Sequence, residues 1–161
     1  MTRAKGVRQA AWLLIAVSGA LLLGALAFQF IGGLKPCEMC YWQRYAHLAV
    51  LAVSALALIS GKRALGWLAV LAMAVAAGFG LFHAGVELKW WQGVTACTAP
   101  VSAGMSTAEM LDTLMNAPLV RCDEIPWSLL GISMAGWNAL ISVGAALCGA
   151  FVLIFTRRRT A

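Results

Sequence analysis

Four long stretches without charge constrain the fold of this chain more than any other sequence feature. Residues 9–34, 45–61, 64–86 and 125–156 contain no Asp, Glu, Lys or Arg. A helix of roughly 20 residues crosses the hydrocarbon core of a bilayer. With 62% hydrophobic and 11% charged residues, the chain is too apolar for a water-soluble domain of this size. The sequence therefore predicts an integral membrane protein.

The stretches predict an all-α fold, a membrane four-helix bundle built as a single domain. The domain comprises residues 1–161. The four spans are predicted at about 10–31, 41–60, 65–86 and 131–155. A long outer loop, residues 87–130, is predicted between spans three and four. No strands are predicted, because no segment alternates apolar and polar residues between turn signals. The fold class follows from the spans alone.

Small side chains within the predicted spans should allow close helix packing. Gly19 and Gly24 lie in span one, and Gly78 and Gly80 lie in span three, where small residues allow helices to approach closely. Cys148 lies in span four far from the other cysteines, and we expect it to be a buried packing residue. The bundle is predicted to be compact.

Basic residues predict the orientation of the chain in the membrane. Eight of the twelve lysines and arginines lie before span one, between spans two and three, or after span four: Arg3, Lys5, Arg8, Lys62, Arg63, Arg157, Arg158 and Arg159. Such residues mark the cytoplasmic face, so we expect both termini inside and segments 35–44 and 87–124 outside. The net charge of +6 then reflects topology, and no nucleic-acid partner is predicted.

The first span allows a second interpretation. A basic start, an apolar run and Ala25-Leu26-Ala27 have the form of a cleavable signal sequence. The apolar run continues through Ile31, beyond the hypothetical cleavage site. We therefore expect the first helix to be retained.

A Cys-x-x-Cys pair, Cys37 and Cys40, precedes span two. Pro36 suits the first turn of a helix, so Cys37 should lie at the helix start. Unpaired amide groups there favour a thiolate, whereas the Glu38 carboxylate should raise the pKa of the thiols, so the sequence leaves the net direction open. Arg44, one turn beyond Cys40, favours a thiolate or a reduced oxygen acceptor; alternatively it only extends towards the lipid headgroups.

A second cysteine pair, Cys97 and Cys122, brackets the long outer loop. The two are separated by 24 residues, and a disulfide across such a loop stabilises a fold by roughly 3 to 4 kcal/mol, which suits a structural role. An exposed disulfide can alternatively exchange with a visiting dithiol and with a neighbouring Cys-x-x-Cys. Two dithiols on one face of a membrane protein favour the second interpretation.

Taken together, these residues resemble the DsbB family of disulfide bond formation proteins. The resemblance rests on Gln29, the run Lys35-Pro36-Cys37-Glu38-Met39-Cys40-Tyr41-Trp42-Gln43-Arg44, His83 with Glu87, Arg121-Cys122-Asp123, and the stretch from Trp127 through Gly131 to Asn138. It covers all four spans. The loop around 98–120 adds nothing specific to it.

The resemblance implies a quinone-dependent thiol oxidase of the bacterial inner membrane, with cytoplasmic termini and periplasmic cysteines. Such a protein reoxidises a periplasmic thioredoxin-fold dithiol oxidase (DsbA-like) and passes the electrons to non-covalently bound ubiquinone or menaquinone. It implies that Cys97 receives the partner's thiolate, Cys122 passes electrons to Cys37, and Cys40 faces the quinone. The implied quinone-binding residues are Arg44, His83 and Gln29; no metal ligand is implied.

Three other functions remain open at the level of sequence. His47 and His83 could ligate one haem between spans two and three, as in an electron carrier. Four cysteine thiolates could bind zinc, although the wide separation of Cys97 and Cys122 disfavours it. The same cysteines could also serve a membrane thiol oxidoreductase that works in the reducing direction, because direction depends on redox potentials.

Overall fold

The computed structural model describes residues 3–94, 106–108, 111, 115 and 120–158. Four long helices account for most of them: α1 at Arg3–Phe30, α2 at Glu38–Ser60, α3 at Arg63–Glu87 and α4 at Met134–Arg158. Each is long and apolar enough to cross a membrane. The predicted all-α membrane four-helix bundle is confirmed.

Helix α2 begins at the Cys-x-x-Cys pair, as predicted from Pro36, and is therefore longer than the span estimated from residue 41. Cys37 is the N-cap, and its Sγ accepts a hydrogen bond from the backbone amide of Cys40 at 3.3 Å. The helix ends at Gly61, which adopts a left-handed conformation with φ 63° and donates its amide to the Ala57 carbonyl. Glycine suits this position because it has no Cβ. The turn lets α3 start at Arg63 and run antiparallel to α2.

A short hairpin corrects the prediction that the chain contains no strands. Strands β1 at Ser128–Leu129 and β2 at Ile132–Ser133 pair antiparallel, and α4 starts at Met134 rather than at residue 131. The two turn residues, Leu130 and Gly131, have φ of 53° and 77°, which matches the two-residue turns with positive φ that favour hairpins. The hairpin is apolar, so the uncharged stretch concealed the start of the last helix.

Glycines explain only part of the close helix packing. A Cβ at Gly80 would lie 2.9 Å from the backbone nitrogen of Ala139, so α3 and α4 cross there as predicted for small residues. The same expectation is wrong for Gly19, Gly24 and Gly78, where no atom of the described residues lies within 4 Å of an added Cβ. Gly24 instead faces a cavity, described below.

The two ends of the bundle differ in character. A Cβ at Gly61 would lie 3.4 Å from Ala4, and one at Gly6 would overlap Thr156, so the start of α1, the α2–α3 link and the end of α4 share one end. Arg3, Lys5, Arg8, Lys62 and Arg63 therefore lie at that end, and the Cys-x-x-Cys pair and the hairpin lie at the other end. Cys148, expected to be buried, is exposed on the bundle surface.

Candidate active site

Cys37 and Cys40 face each other across the first turn of α2. Their Sγ atoms are 2.8 Å apart, and Cys37 is 5% exposed. The amide contact expected at a helix start is present at Cys37, and the structure gives the direction of the pKa shift that the sequence left open. The hydrogen bond with the Cys40 side chain, followed by burial, raises the pKa of Cys37. In the reduced pair, Cys37 therefore holds its proton unless a neighbouring group stabilises its thiolate.

Cys122 joins this pair from a distant part of the chain. It is fully buried and forms an apolar cluster with Cys37, Met39 and Val86. The sequence suggested that Cys122 belongs to an exposed disulfide, but the Cys122 side chain is buried. Cys97, its predicted partner, lies outside the described residues. The fold thus brings the sulfur that follows the outer loop against the first cysteine of the Cys-x-x-Cys pair.

His83 occupies the space between these cysteines. Its Nε2 atom lies 3.6 Å from Cys37 Sγ and 3.2 Å from the carbonyl oxygen of Cys122. Glu87 Oε1, one turn further along α3, is 3.9 Å from the same nitrogen. Glu87 also accepts a hydrogen bond from the Ser133 hydroxyl, which fixes the end of α3 against the start of α4.

A cluster of charged residues fixes the backbone next to Cys122. Lys89 Nζ donates to the backbone oxygen and to Oδ2 of Asp123, both at 2.6 Å, and Arg121 donates to both carboxylate oxygens at 2.9 Å. The hydrogen bonds from Arg121, and then those from Lys89, hold the pKa of Asp123 well below its usual range. Lys89 has φ 61°, a strained conformation for a non-glycine residue. The end of α3 accounts for that conformation: the Lys89 amide donates to the Val86 carbonyl at 3.1 Å and the Trp90 amide to the Gly85 carbonyl at 2.8 Å, the pattern that ends a helix with a left-handed residue.

A cavity of about 580 Å³ opens beside the cysteines. Its size lies within the range of small-molecule sites, which are mostly apolar with a few polar groups. The wall includes apolar residues from α1, from the segment before α2 and from the hairpin region. The polar or reactive side chains that line it include Cys37, Cys40, Arg44, His83 and Glu87.

Arg44 is directed across the bundle towards α1. Its guanidinium donates to Gln29 Oε1 at 2.5 Å and to the backbone oxygen of Ala25 at 3.2 Å, and it lies 5.4 Å from the centre of the Tyr41 ring. It therefore does not extend simply towards lipid headgroups. Gln29 is not among the described residues that line the cavity; its contact with the site runs through Arg44.

Comparison with known proteins identifies the family. The family described as "Disulfide bond formation protein DsbB" matches residues 7–152. A protein named "Disulfide bond formation protein B" from Marinobacter nauticus is 33% identical over 151 residues, covering 88% of this chain and 89% of the relative. The chain belongs to the DsbB family. Proteins of the same name from Polaromonas and Methylococcus capsulatus are 32% and 33% identical and cover 86% and 84% of this chain, and 84% and 85% of their own lengths. This DsbB-family chain is therefore a membrane disulfide-forming oxidoreductase.

The structure disfavours the haem alternative for this DsbB-family member. The His83 ring contacts Gln43 at Nδ1 and Cys122 at Nε2, within 3.2 Å. The His47 ring contacts Ser18 at Nδ1 at 3.1 Å and Asn138 at Nε2 at 2.8 Å. All four ring nitrogens thus have protein partners, and iron would have to displace one on each ring.

The donor atoms of Cys37, Cys40 and His83 lie within 4.8 Å of one another. Two thiolates and an imidazole suit zinc or another soft metal ion when the cysteines are reduced. This set differs from the four-cysteine site considered from the sequence, because it draws on His83 and leaves out the outer-loop pair. A disulfide between Cys37 and Cys40 would remove both thiolate ligands.

Sequence reasoning gave no separate role to Gln43, Asn138 and Ser18, which connect the two histidines. Gln43 contacts His83 at 2.7 Å and Asn138 at 2.6 Å. The available signal was the polarity of these side chains, because amides within an apolar span mark interhelical hydrogen bonds. Their partners lie on other helices, however, and the chain order does not identify them.

Proposed function

We propose that this protein is a membrane thiol:quinone oxidoreductase that reoxidises a soluble thioredoxin-fold dithiol oxidase (DsbA-like). One observation carries the proposal. Cys37 packs against Cys122, while Cys37 and its neighbour Cys40 both line the cavity. The pair can thus exchange with a sulfur on one side and deliver electrons into a small-molecule site on the other. By this proposal, the cysteine end of the bundle faces the periplasm of a bacterial inner membrane and both termini are cytoplasmic.

The exchange begins at the outer-loop disulfide. A thiolate of the reduced partner attacks Cys97, the Cys97–Cys122 bond breaks, and Cys122 leaves as a thiolate. In the oxidised protein a disulfide joins Cys37 and Cys40. Cys122 then attacks Cys37, the Cys37–Cys40 bond breaks, a Cys37–Cys122 disulfide forms, and Cys40 leaves as a thiolate beside the cavity. Each step exchanges one sulfur–sulfur bond for another, so no external oxidant is needed to this point.

Two further exchanges complete the transfer. The partner's second thiolate attacks its own sulfur in the mixed disulfide and displaces Cys97 as a thiolate. Cys97 attacks Cys122, restores the outer-loop disulfide and releases Cys37 as a thiolate. The partner leaves oxidised, and Cys37 and Cys40 hold its two electrons. The two protons of the partner's thiols remain to be taken up with those electrons.

The residues around the cavity fit a quinone. Apolar walls suit a ring and the start of an isoprenoid tail, and the Arg44 guanidinium supplies positive charge where a quinone oxygen gains electron density. When bound, ubiquinone or menaquinone supplies the two-electron oxidant and becomes a quinol by taking up two protons. Arg44 and His83 are the proposed binding residues, and Gln29 acts by holding Arg44 in place.

An anaerobic assay with purified protein tests this function. The protein is mixed with a reduced thioredoxin-fold dithiol oxidase and either ubiquinone or menaquinone, and quinol formation is followed by absorbance. We expect one quinol for each partner disulfide formed, and no quinol with Cys40→Ala. The matched control is Cys148→Ala, which removes an exposed cysteine outside the site and should leave the rate unchanged. Partner reduction in place of oxidation, or equal rates in both variants, would refute the proposal.

A further inference from the structure

A chain of hydrogen bonds runs from the cysteines through the centre of the bundle. His83 Nδ1 lies 2.7 Å from Gln43 Nε2, and Gln43 Oε1 lies 2.6 Å from Asn138 Nδ2. Asn138 Oδ1 lies 2.8 Å from His47 Nε2, and His47 Nδ1 lies 3.1 Å from Ser18 Oγ. The chain links all four helices and passes through both histidines of the protein.

The side-chain amides determine which group donates and which accepts at each step of this chain of hydrogen bonds. An amide nitrogen only donates and an amide oxygen only accepts. Gln43 Nε2 donates to the Met39 carbonyl at 3.3 Å as well as towards His83, so the opposite orientation would place two oxygens against each other. His83 Nδ1 must therefore accept, and the proton of the neutral ring lies on Nε2.

The hydrogen bonds at the far end, around Asn138 and His47, have the same direction of donation. Asn138 Oδ1 accepts from the Ser142 hydroxyl at 3.2 Å and from His47 Nε2. The proton of His47 thus also lies on Nε2, and its Nδ1 accepts from Ser18. Ser18 and Ser142 are fully buried, and His47 and His83 are each 3% exposed. A donor or acceptor that faced the wrong partner here could therefore not readily form a hydrogen bond with water instead.

We propose that Gln43, oriented by Asn138, fixes His83 as the tautomer that carries its proton on Nε2. His83 then donates towards the Cys122 carbonyl and Cys37 Sγ, and it is not a base for the Cys37 thiol. Gln43 and Asn138 are positioning residues, because they act on the cysteines through His83. The benefit to exchange rests on the proposed function. His83 Nε2 lies 3.6 Å from Cys37 Sγ, and the proton on Nε2 stabilises that sulfur each time it leaves as a thiolate.

Nitrogen-15 NMR of histidine-labelled protein tests the tautomer directly, because protonated and unprotonated ring nitrogens differ widely in chemical shift. The chain contains two histidines, and a His47→Gln protein assigns the spectrum. We expect both wild-type rings to carry their proton on Nε2. A His83 ring protonated on Nδ1 would overturn the proposal.

Two substitutions should reverse the direction of hydrogen-bond donation to His83. One is at Gln43, which contacts His83, and the other is at Asn138, which contacts Gln43. Gln43→Glu replaces the donating nitrogen with an oxygen, which then accepts from His83 Nδ1. Asn138→Asp removes the donor to Gln43 and makes Gln43 turn its nitrogen towards position 138, so its oxygen faces His83. Both should move the His83 proton to Nδ1 and leave that of His47 on Nε2. In Ser142→Ala, the matched control, both rings should keep the wild-type tautomer. An unchanged His83 in both reversing variants would contradict the proposal.

Turnover supplies a second measurement. Both reversing variants should slow partner oxidation by about tenfold, the usual effect of losing one hydrogen bond to a charged group. Ser142→Ala should match the wild type. The NMR result needs neither quinone nor partner. The expected tautomers without any quinol formation would therefore refute the proposed function alone, and quinol formation with the opposite tautomer would refute this inference alone.

Discussion

The Nε2 atom of His83 lies 3.2 Å from the carbonyl oxygen of Cys122, which ties the third helix to the segment that follows the outer loop. The contact places the imidazole beside the Cys37 sulfur, 3.6 Å away. One side chain therefore touches the backbone of one reactive cysteine and the thiol of another.

Removal of Cys97 should separate quinone binding from partner oxidation. Cys97→Ala cannot form the mixed disulfide with the partner, but the cavity beside Cys40 is unchanged. We expect the variant to bind quinone with wild-type affinity, measured by equilibrium titration, and to lose partner oxidation completely. Normal turnover in Cys97→Ala would exclude the proposed role of the outer loop.

Loss of Arg44 should weaken quinone use more than loss of Gln29. Arg44→Ala removes the guanidinium from the cavity, and we expect the KM for quinone to rise by about tenfold, or roughly 1.4 kcal/mol. Gln29→Ala leaves the guanidinium present but less well held, so its KM should rise less. Steady-state kinetics at saturating partner checks both values. An unchanged KM in Arg44→Ala would limit Arg44 to anchoring the helix.

Asp123 should stabilise the segment around Cys122 over most of the pH range. Its pKa is lowered in the folded state, so its stabilisation is fully present above the usual aspartate pKa and is lost as the pH falls through the lower folded-state pKa. We expect Asp123→Asn to lower the thermal unfolding midpoint slightly at pH 7, because exposed ion pairs contribute little. The difference from wild type should persist to about pH 4, near the usual aspartate pKa, and shrink only below it.

Glu124→Gln is the matched control for Asp123. Glu124 is more exposed and contacts Arg121 at 3.3 Å, whereas Asp123 is bound by both Lys89 and Arg121. The control should change the unfolding midpoint less than Asp123→Asn does. An equal change in both variants would show that general charge, rather than the specific contacts of Asp123, stabilises this segment.

Two glycines on the same helix should differ in their tolerance to a methyl group. Gly80→Ala places a Cβ 2.9 Å from the backbone of Ala139, which forces α3 and α4 apart and should cost about 1–3 kcal/mol. Gly78→Ala meets no described atom within 4 Å and should be neutral or slightly stabilising. Thermal unfolding in the same detergent compares the two. Similar midpoints would argue against a tight crossing at Gly80.

The prediction of fold class depended on local properties. Long runs without charge indicate membrane helices wherever they occur, because the free energy of placing a charge in lipid depends little on tertiary contacts. The same reasoning failed at Ser128–Ser133, where the hairpin is as free of charged residues as the span that follows it. Exposure was also difficult to predict: Cys148 is exposed and Cys122 is buried, opposite to expectation.

The cysteine spacing and the residues around it predicted the family, which the comparisons confirmed. They also predicted Arg44 and His83 near the Cys-x-x-Cys pair, and both line the cavity beside it. The direction of the pKa shift at Cys37 could not be predicted, because the helix start is local but the burial and the close Cys40 sulfur result from packing.

The sequence by itself determined that this chain is a four-helix membrane protein with a reactive cysteine pair at one helix start, since hydropathy and helix capping depend on neighbouring residues. Only the tertiary structure decided that Cys122 meets Cys37, that Gln29 reaches the site through Arg44, and that Gln43 and Asn138 join the two histidines. Those contacts link residues on different helices. Their distances depend on how the helices cross and rotate, which no local pattern specifies.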